Sequence, residues 1–123
     1  MADRRLISSG SRFERQIGFS RAVAAGMSGT TGFDYKSMTI SDNVVEQAEQ
    51  CFRNVAGVLE QAGATFADVV RITYLVTRRE DFEPIWPVLQ RYLGEIRPAC
   101  TVLVAGLLDP RMLIEIEATA FKA

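Results

Sequence analysis

The chain has 123 residues, 48% of them apolar and 24% charged, and a formal net charge of −1. This length and balance suit one globular domain whose core closes without staples, and a charge so near zero gives no field to attract a polyanion, so nucleic acid is not an expected partner. Histidine is absent, which excludes Ser-His-Asp and Cys-His nucleophile pairs and the histidine-based zinc patterns, and leaves acid–base work to Asp, Glu, Lys, Tyr, Cys or bound water.

No apolar run approaches the ~18 residues of a membrane span. Cys51 and Cys100 show no CxxC spacing, and the opening stretch Met1–Arg15 is polar. A cytoplasmic protein with reduced thiols is expected. No GxGxxG or P-loop pattern occurs, and no cofactor or metal is expected.

In chain order, residues 1–16 read as a loosely held N-terminal arm and 17–123 as a single domain. Phe19 to Ala25 alternates weakly, as a strand would; Gly26-Met27-Ser28-Gly29 interrupts it, and Thr30 to Asp34 leads into a loop. Asn43 to Ala62 is the clearest helix, with Val44, Val45, Ala48, Cys51, Phe52, Val55, Val58, Leu59 and Ala62 on one broad face. Asn43 and Glu46 have the spacing of a capping box, and Gly63 is a natural stop.

Asp68 to Thr77 reads as a strand. Val70, Ile72, Tyr74 and Val76 alternate with Val69, Arg71, Thr73, Leu75 and Thr77, so both faces carry apolar surface. A second helix spans about Pro84 to Leu93, with Pro84 and Pro87 tolerable in its first turn, Ile85, Val88, Leu89 and Tyr92 as its stripe, and Gly94 as its end. Two strands follow, Thr101 to Leu107 and Met112 to Phe121. In the latter, Ile114, Ile116, Ala118 and Ala120 face one side, and Glu115, Glu117, Thr119 and Phe121 the other.

The order β(β)αβαββ predicts an α+β domain, a mixed sheet with two helices on one face. The opposite face carries Arg71, Thr73, Thr101, Glu115 and Glu117 among apolar residues, a pattern expected of a surface covered by another subunit.

Arg97-Pro98-Ala99 followed by Ile114-Glu115-Ile116-Glu117-Ala118-Thr119-Ala120 resembles the closing pattern of the Rid (YjgF) family, also called endoribonuclease L-PSP. Ser28-Gly29, Gln47-Ala48, Asn54, the stretch from Ala62-Gly63 to Asp68-Val69-Val70, and Asp81-Phe82 add to the resemblance, which spans about residues 17 to 121. It implies a chorismate-mutase-like homotrimer with small-molecule clefts between subunits. It also implies hydrolysis of enamines and imines, such as 2-aminoacrylate, to 2-keto acids and ammonia. In such proteins an arginine after the Pro-Ala turn grips the substrate carboxylate, and a glutamate of the final strand positions water or moves a proton.

Gly29 and Glu115 match that pattern. Phe19 stands near the family's tyrosine without its hydroxyl, Trp86 where many members have asparagine, and Cys100 in the place of the arginine. Hydrogen bonds to charged groups contribute about 1.5–3 kcal/mol each, and a thiol cannot replace a guanidinium fork. Weak or no activity on 2-aminoacrylate is therefore expected. The opening hairpin also departs from the pattern: only Gly26 and Met27 lie between Ala25 and Ser28, so its strands are short or rearranged.

Glu115 is either the catalytic carboxylate or a solvated strand residue; Glu117 reads as an ion-pair partner of Arg71 or Arg111. Cys51 reads as core. Cys100 reads first as a small filler, with a reactive thiol as the alternative. Arg21 and Arg111 are candidate anion anchors or surface charges; Arg97, Arg91, Arg78 and Arg79 read as solvated, although Arg97 also lies near enough in sequence to reach a cleft. Gly29 and Thr101 offer hydrogen bonds. Phe19 and Trp86 form either a wall suited to a larger ligand or ordinary packing. The expected function is a Rid-like hydrolase of altered specificity acting on an imine, enamine or related small molecule. The alternative is a ligand-binding trimer without turnover, and ribonuclease activity gains nothing from the charge balance or the missing histidines.

Overall fold

The computed structural model describes residues 6–8, 10, 22–23, 26–27 and 29–121. Strands β1 (Leu6–Ile7), β2 (Ala22–Val23), β3 (Gly26–Met27), β4 (Thr30–Thr31), β5 (Phe33–Asp34) and β6 (Thr39–Ile40) precede helix α1 (Val44–Gln61). Then come β7 (Val69–Val76), helix α2 (Trp86–Leu93), β8 (Ala99–Val104) and β9 (Ile114–Ala120).

The main sheet has the order β4-β9-β7-β8. Its parallel pair, β7 with β8, is the one joined through a helix, because a parallel return needs a crossover. β9 pairs antiparallel with both β4 and β7. Both helices pack on one face: Ala48, Cys51, Phe52, Val55 and Leu59 of α1 and Val88 of α2 meet Ile72, Tyr74, Val76, Ile114, Ile116 and Ala118 in one buried cluster. The α+β architecture with a mixed sheet and two helices follows the sequence pattern.

The first helix starts and stops as its sequence dictates. Asn43 Oδ1 accepts from the Glu46 N–H at 3.0 Å. The other half of the capping box is altered: the Glu46 carboxylate accepts from the Ser41 hydroxyl, and Ser41 Oγ takes the Asn43 N–H at 3.1 Å. At the far end Gly63, at φ 72°, and Ala64 donate to the Glu60 and Leu59 carbonyls, a Schellman closure that glycine permits.

Several local expectations change. Gly26-Met27 does not interrupt a strand; it is β3, paired with β2 at Val23↔Gly26. Thr30 to Asp34 is not a loop lead-in, since Thr30 and Thr31 pair with Ile116 and Glu115, and Phe33–Asp34 forms a hairpin with Thr39–Ile40. Within the arm, Leu6–Ile7 pairs with β2, and Ile7 is buried against Val58. A bulge between Val69 and Arg71 turns Val69 into the core and leaves Val70 50% exposed, reversing their expected faces. The strand expected to reach Leu107 stops at Val104, and the last strand begins at Ile114 rather than Met112.

The second helix is preceded by a 3₁₀ turn, Glu83–Ile85, so Pro84 and Pro87 each occupy a first turn and remove no helical hydrogen bond. Gly94 follows Leu93 but keeps right-handed helical angles (φ −57°). The left-handed residue is Arg97, at φ 52°, whose N–H donates to the Leu93 carbonyl at 2.9 Å. Arg91 pairs with Glu49 of α1, and Arg78 with Asp81 at 3.0 Å, so neither is merely solvated.

One buried polar residue ties the loops to this frame. Gln47 is fully covered; its Nε2 donates to the Ser41 and Arg111 carbonyls at 2.6 and 2.8 Å, and its Oε1 accepts from the Leu113 N–H at 2.9 Å. Gly32 lies directly against it, and a Cβ there would stand 2.5 Å from the Gln47 Cβ.

Candidate functional site

Glu115 is the second residue of β9, paired in register with Thr31, and it points away from the helices because Ile114 and Ile116 take the core side. Gly29 sits against its carboxyl: a Cβ at Gly29 would lie 2.8 Å from Glu115 Cδ and 2.9 Å from Oε2. Glycine is what lets the backbone approach that carboxylate. Beside it, Tyr35 Oη accepts from the Thr31 N–H at 2.9 Å and shares a 3.0 Å hydrogen bond with the Thr31 hydroxyl. Burial, with the Glu115 charge nearby, pushes the Cys51 thiol up, so Cys51 is an inert core residue.

Arg111, a candidate anion anchor, is engaged by a neighbouring carboxylate. Its Nε and Nη2 donate to Asp109 at 3.0 and 2.7 Å, and the guanidinium lies 5.1 Å from the centroid of the Phe33 ring. These hydrogen bonds hold the Asp109 carboxyl down at about 2. Glu117 stands opposite Thr73, and among the described residues it forms no ion pair with Arg71 or Arg111.

At the β8 edge of the sheet, α2 and β8 enclose a groove of about 570 Å³. Cys100 pairs with Ile72 in register and therefore faces the helices, where it lines this groove with Tyr74, Phe82, Trp86, Leu89 and Arg97. Partial burial pushes the Cys100 thiol up, the opposite of an activated nucleophile, which favours the filler over the reactive thiol. Arg97 is the addition that sequence reasoning undervalued. It enters the groove because the chain turns left-handed at Arg97 just before Pro98.

The expected site residues thus fall into two groups. Gly29 and Glu115 lie together on the outer sheet face; Trp86 and Cys100 lie together in the groove on the helix side. β7 separates β9 from β8, a gap of about 10 Å between strand axes. Thr101, opposite Thr73, shares the outer face with Glu115 but lies two strands away. Phe19 and Arg21 lie outside the described residues. Among the described residues no cluster of three metal-ligating side chains occurs, and no helix is long and apolar enough to cross a membrane.

This two-helix, mixed-sheet α+β domain carries a side-chain-lined groove of the size that small molecules fill. More specifically, the chain belongs to the Endoribonuclease L-PSP family, the YjgF family of solved structures, whose sequence profile matches residues 9–122. A human protein named 2-iminobutanoate/2-iminopropanoate deaminase is 32% identical over 97 residues, covering 78% of this chain and 71% of its own length. The structure of a Mycobacterium tuberculosis member of the YjgF/YER057c/UK114 family superposes with a TM-score of 0.87 at 37% identity, covering 98% of this chain and 100% of that one. The YjgF gene product of E. coli gives 0.73 at 28% identity, over 80% of each chain.

Proposed function

We propose that this chain is an imine or enamine hydrolase of altered specificity, working as a homotrimer in which the Glu115 face of one subunit closes over the groove of the next. The observation that carries this reading is the separation of the two half-sites: Glu115 lies on the outer face of the inner strand β9, whereas Cys100 lies on the helix face of the edge strand β8. Opposite faces with a strand between them keep the two apart within one chain, whereas a ring of identical subunits joins unlike surfaces. The exposed edge strand fits such a joint: Val102, Leu103 and Val104 of β8 are 39%, 49% and 54% exposed, and an apolar edge left in water invites pairing. The deaminase names of the relatives at 32% identity point to the same chemistry.

In that reaction Glu115 takes a proton from water as the oxygen attacks the imine carbon. Glu115 returns that proton to the nitrogen, and the C–N bond of the resulting carbinolamine breaks as its hydroxyl proton passes to the departing amine, leaving a 2-keto acid and ammonia. Gly29 keeps the carboxylate within reach of a ligand. Cys100 supports the narrower expectation of weak turnover of 2-aminoacrylate, and it also favours the second reading, a binding trimer without turnover.

The test is ammonia release from imines generated in situ from a panel of amino acids. Acceleration over spontaneous hydrolysis for at least one side chain is expected, with Glu115→Gln lowering kcat by about a hundredfold or more at unchanged Tm. A panel with no acceleration, combined with thermal stabilisation by 2-keto acids, would replace the hydrolase by the binding protein.

A further inference from the structure

The groove between α2 and β8 carries more information than its place in that reading requires. Its 570 Å³ falls within the range of about 300–1,000 Å³ typical of small-molecule pockets. Three aromatic rings form a tier along it. Tyr74 and Phe82 lie 5.9 Å apart at 53°, and Phe82 meets Trp86 edge-on at 6.2 Å and 81°. Phe82 takes one contact of the indole, and Trp86 remains 52% exposed, so much of its surface faces outward unpacked.

The polar groups of the groove are few and unmatched. Among the described residues Arg97 is the only charged one lining it, and no carboxylate pairs with it. Its φ of 52° is a position glycine or asparagine ordinarily takes, and the following Pro98 restricts it further. An arginine held there is a strained choice of the kind found at ligand sites. Tyr74 is 3% exposed, yet its hydroxyl has no hydrogen-bond partner among the described residues, and it too lines the groove. Buried hydroxyls without partners are rare. Burial, and the neighbouring Cys100, push the Tyr74 hydroxyl up, so it stays a neutral donor. Cys100, a small residue, lines the groove together with Tyr74 and Arg97.

We infer that this groove is the specificity pocket for an aromatic 2-keto or 2-imino acid, with Arg97 and the Tyr74 hydroxyl holding the carboxylate and Trp86 stacking on the ring. One cation and one unmatched donor select a monoanion, and the aromatic tier selects a flat apolar side chain. A three-carbon acid would reach Arg97 but leave the Trp86 wall wet. The inference rests on the proposed hydrolase only for the chemistry performed on the bound acid; the binding preference stands by itself.

Calorimetric titration with phenylpyruvate and with pyruvate tests it, and Trp86, the single tryptophan, reports occupancy through its emission. Phenylpyruvate should bind about tenfold or more tighter than pyruvate. Trp86→Ala should bring the two affinities to within about threefold. Arg97→Gly should weaken both acids by about tenfold or more without lowering Tm, because glycine relieves the left-handed strain. Tyr74→Phe should weaken both without changing their ratio. Equal affinities in the wild-type protein, a preference untouched by Trp86→Ala, or affinities untouched by Arg97→Gly would overturn the assignment. Hydrolysis of short-chain imines with no aromatic preference would sink the pocket and spare the hydrolase. Selective phenylpyruvate binding with no imine turnover would do the reverse.

Discussion

Replacing Gln47 by leucine removes the three hydrogen bonds that hold the Ser41 loop and the Arg111–Leu113 turn to helix α1. Leucine nearly matches the volume, so the cost is polar. Each orphaned backbone group costs about 1–3 kcal/mol when water cannot reach it. The Ser41 and Arg111 carbonyls lie nearer the surface and recover part of that, so the sum is about 3–5 kcal/mol. For a domain of this length that corresponds to a Tm drop of roughly 10–20 °C, read by calorimetry or circular dichroism. Gln47→Glu sharpens the test. Its carboxylate still accepts from the Leu113 N–H but turns an oxygen toward two carbonyls, which raises its folded pKa above the ordinary ~4.3. A raised acid favours the folded state only when protonated. The variant's deficit against wild type should therefore be smallest below about pH 4 and should grow as pH rises through the folded value. At pH 7 Gln47→Glu should be the less stable of the two. A Gln47→Leu protein within about 1 kcal/mol of wild type would refute the clamp.

Gly32→Ala should destabilise by about 2–3 kcal/mol or more in urea, because its Cβ would meet Gln47 Cα at 2.8 Å and backbone cannot swing aside. Gly29→Ala meets only the flexible end of Glu115; it should displace the carboxylate and lower kcat about tenfold while leaving Tm nearly unchanged. With its pKa raised above the ordinary 9.0, Cys100 should be alkylated more slowly in the folded chain than in the unfolded one at pH 8, and its rate should still be climbing at pH 9, levelling off only at higher pH. A midpoint below pH 8 would restore it as a candidate nucleophile.

The amphipathic run of residues 44 to 61, its Asn43 cap and its Gly63 stop determined the first helix by themselves, since helix ends are local hydrogen-bond problems solved by nearby residues. Alternation in residues 114 to 120 likewise settled which side of the last strand is buried, and with it that Glu115 turns away from the core. The Pro-Ala turn and the IEIE pattern placed the chain in its family and marked Cys100 as a departure. Other features waited on tertiary contacts. The bulge that exchanges Val69 and Val70 depends on the partner strand; β4 is only two residues long and exists because β9 lies beside it. Asp109 captures Arg111, and the left-handed turn brings Arg97 into the groove. A linear pattern records which residue types are present and how they alternate. It does not record which cation meets which carboxylate, or that Glu115 and Cys100 stand on opposite faces with a strand between them, because those are distances across the chain rather than along it.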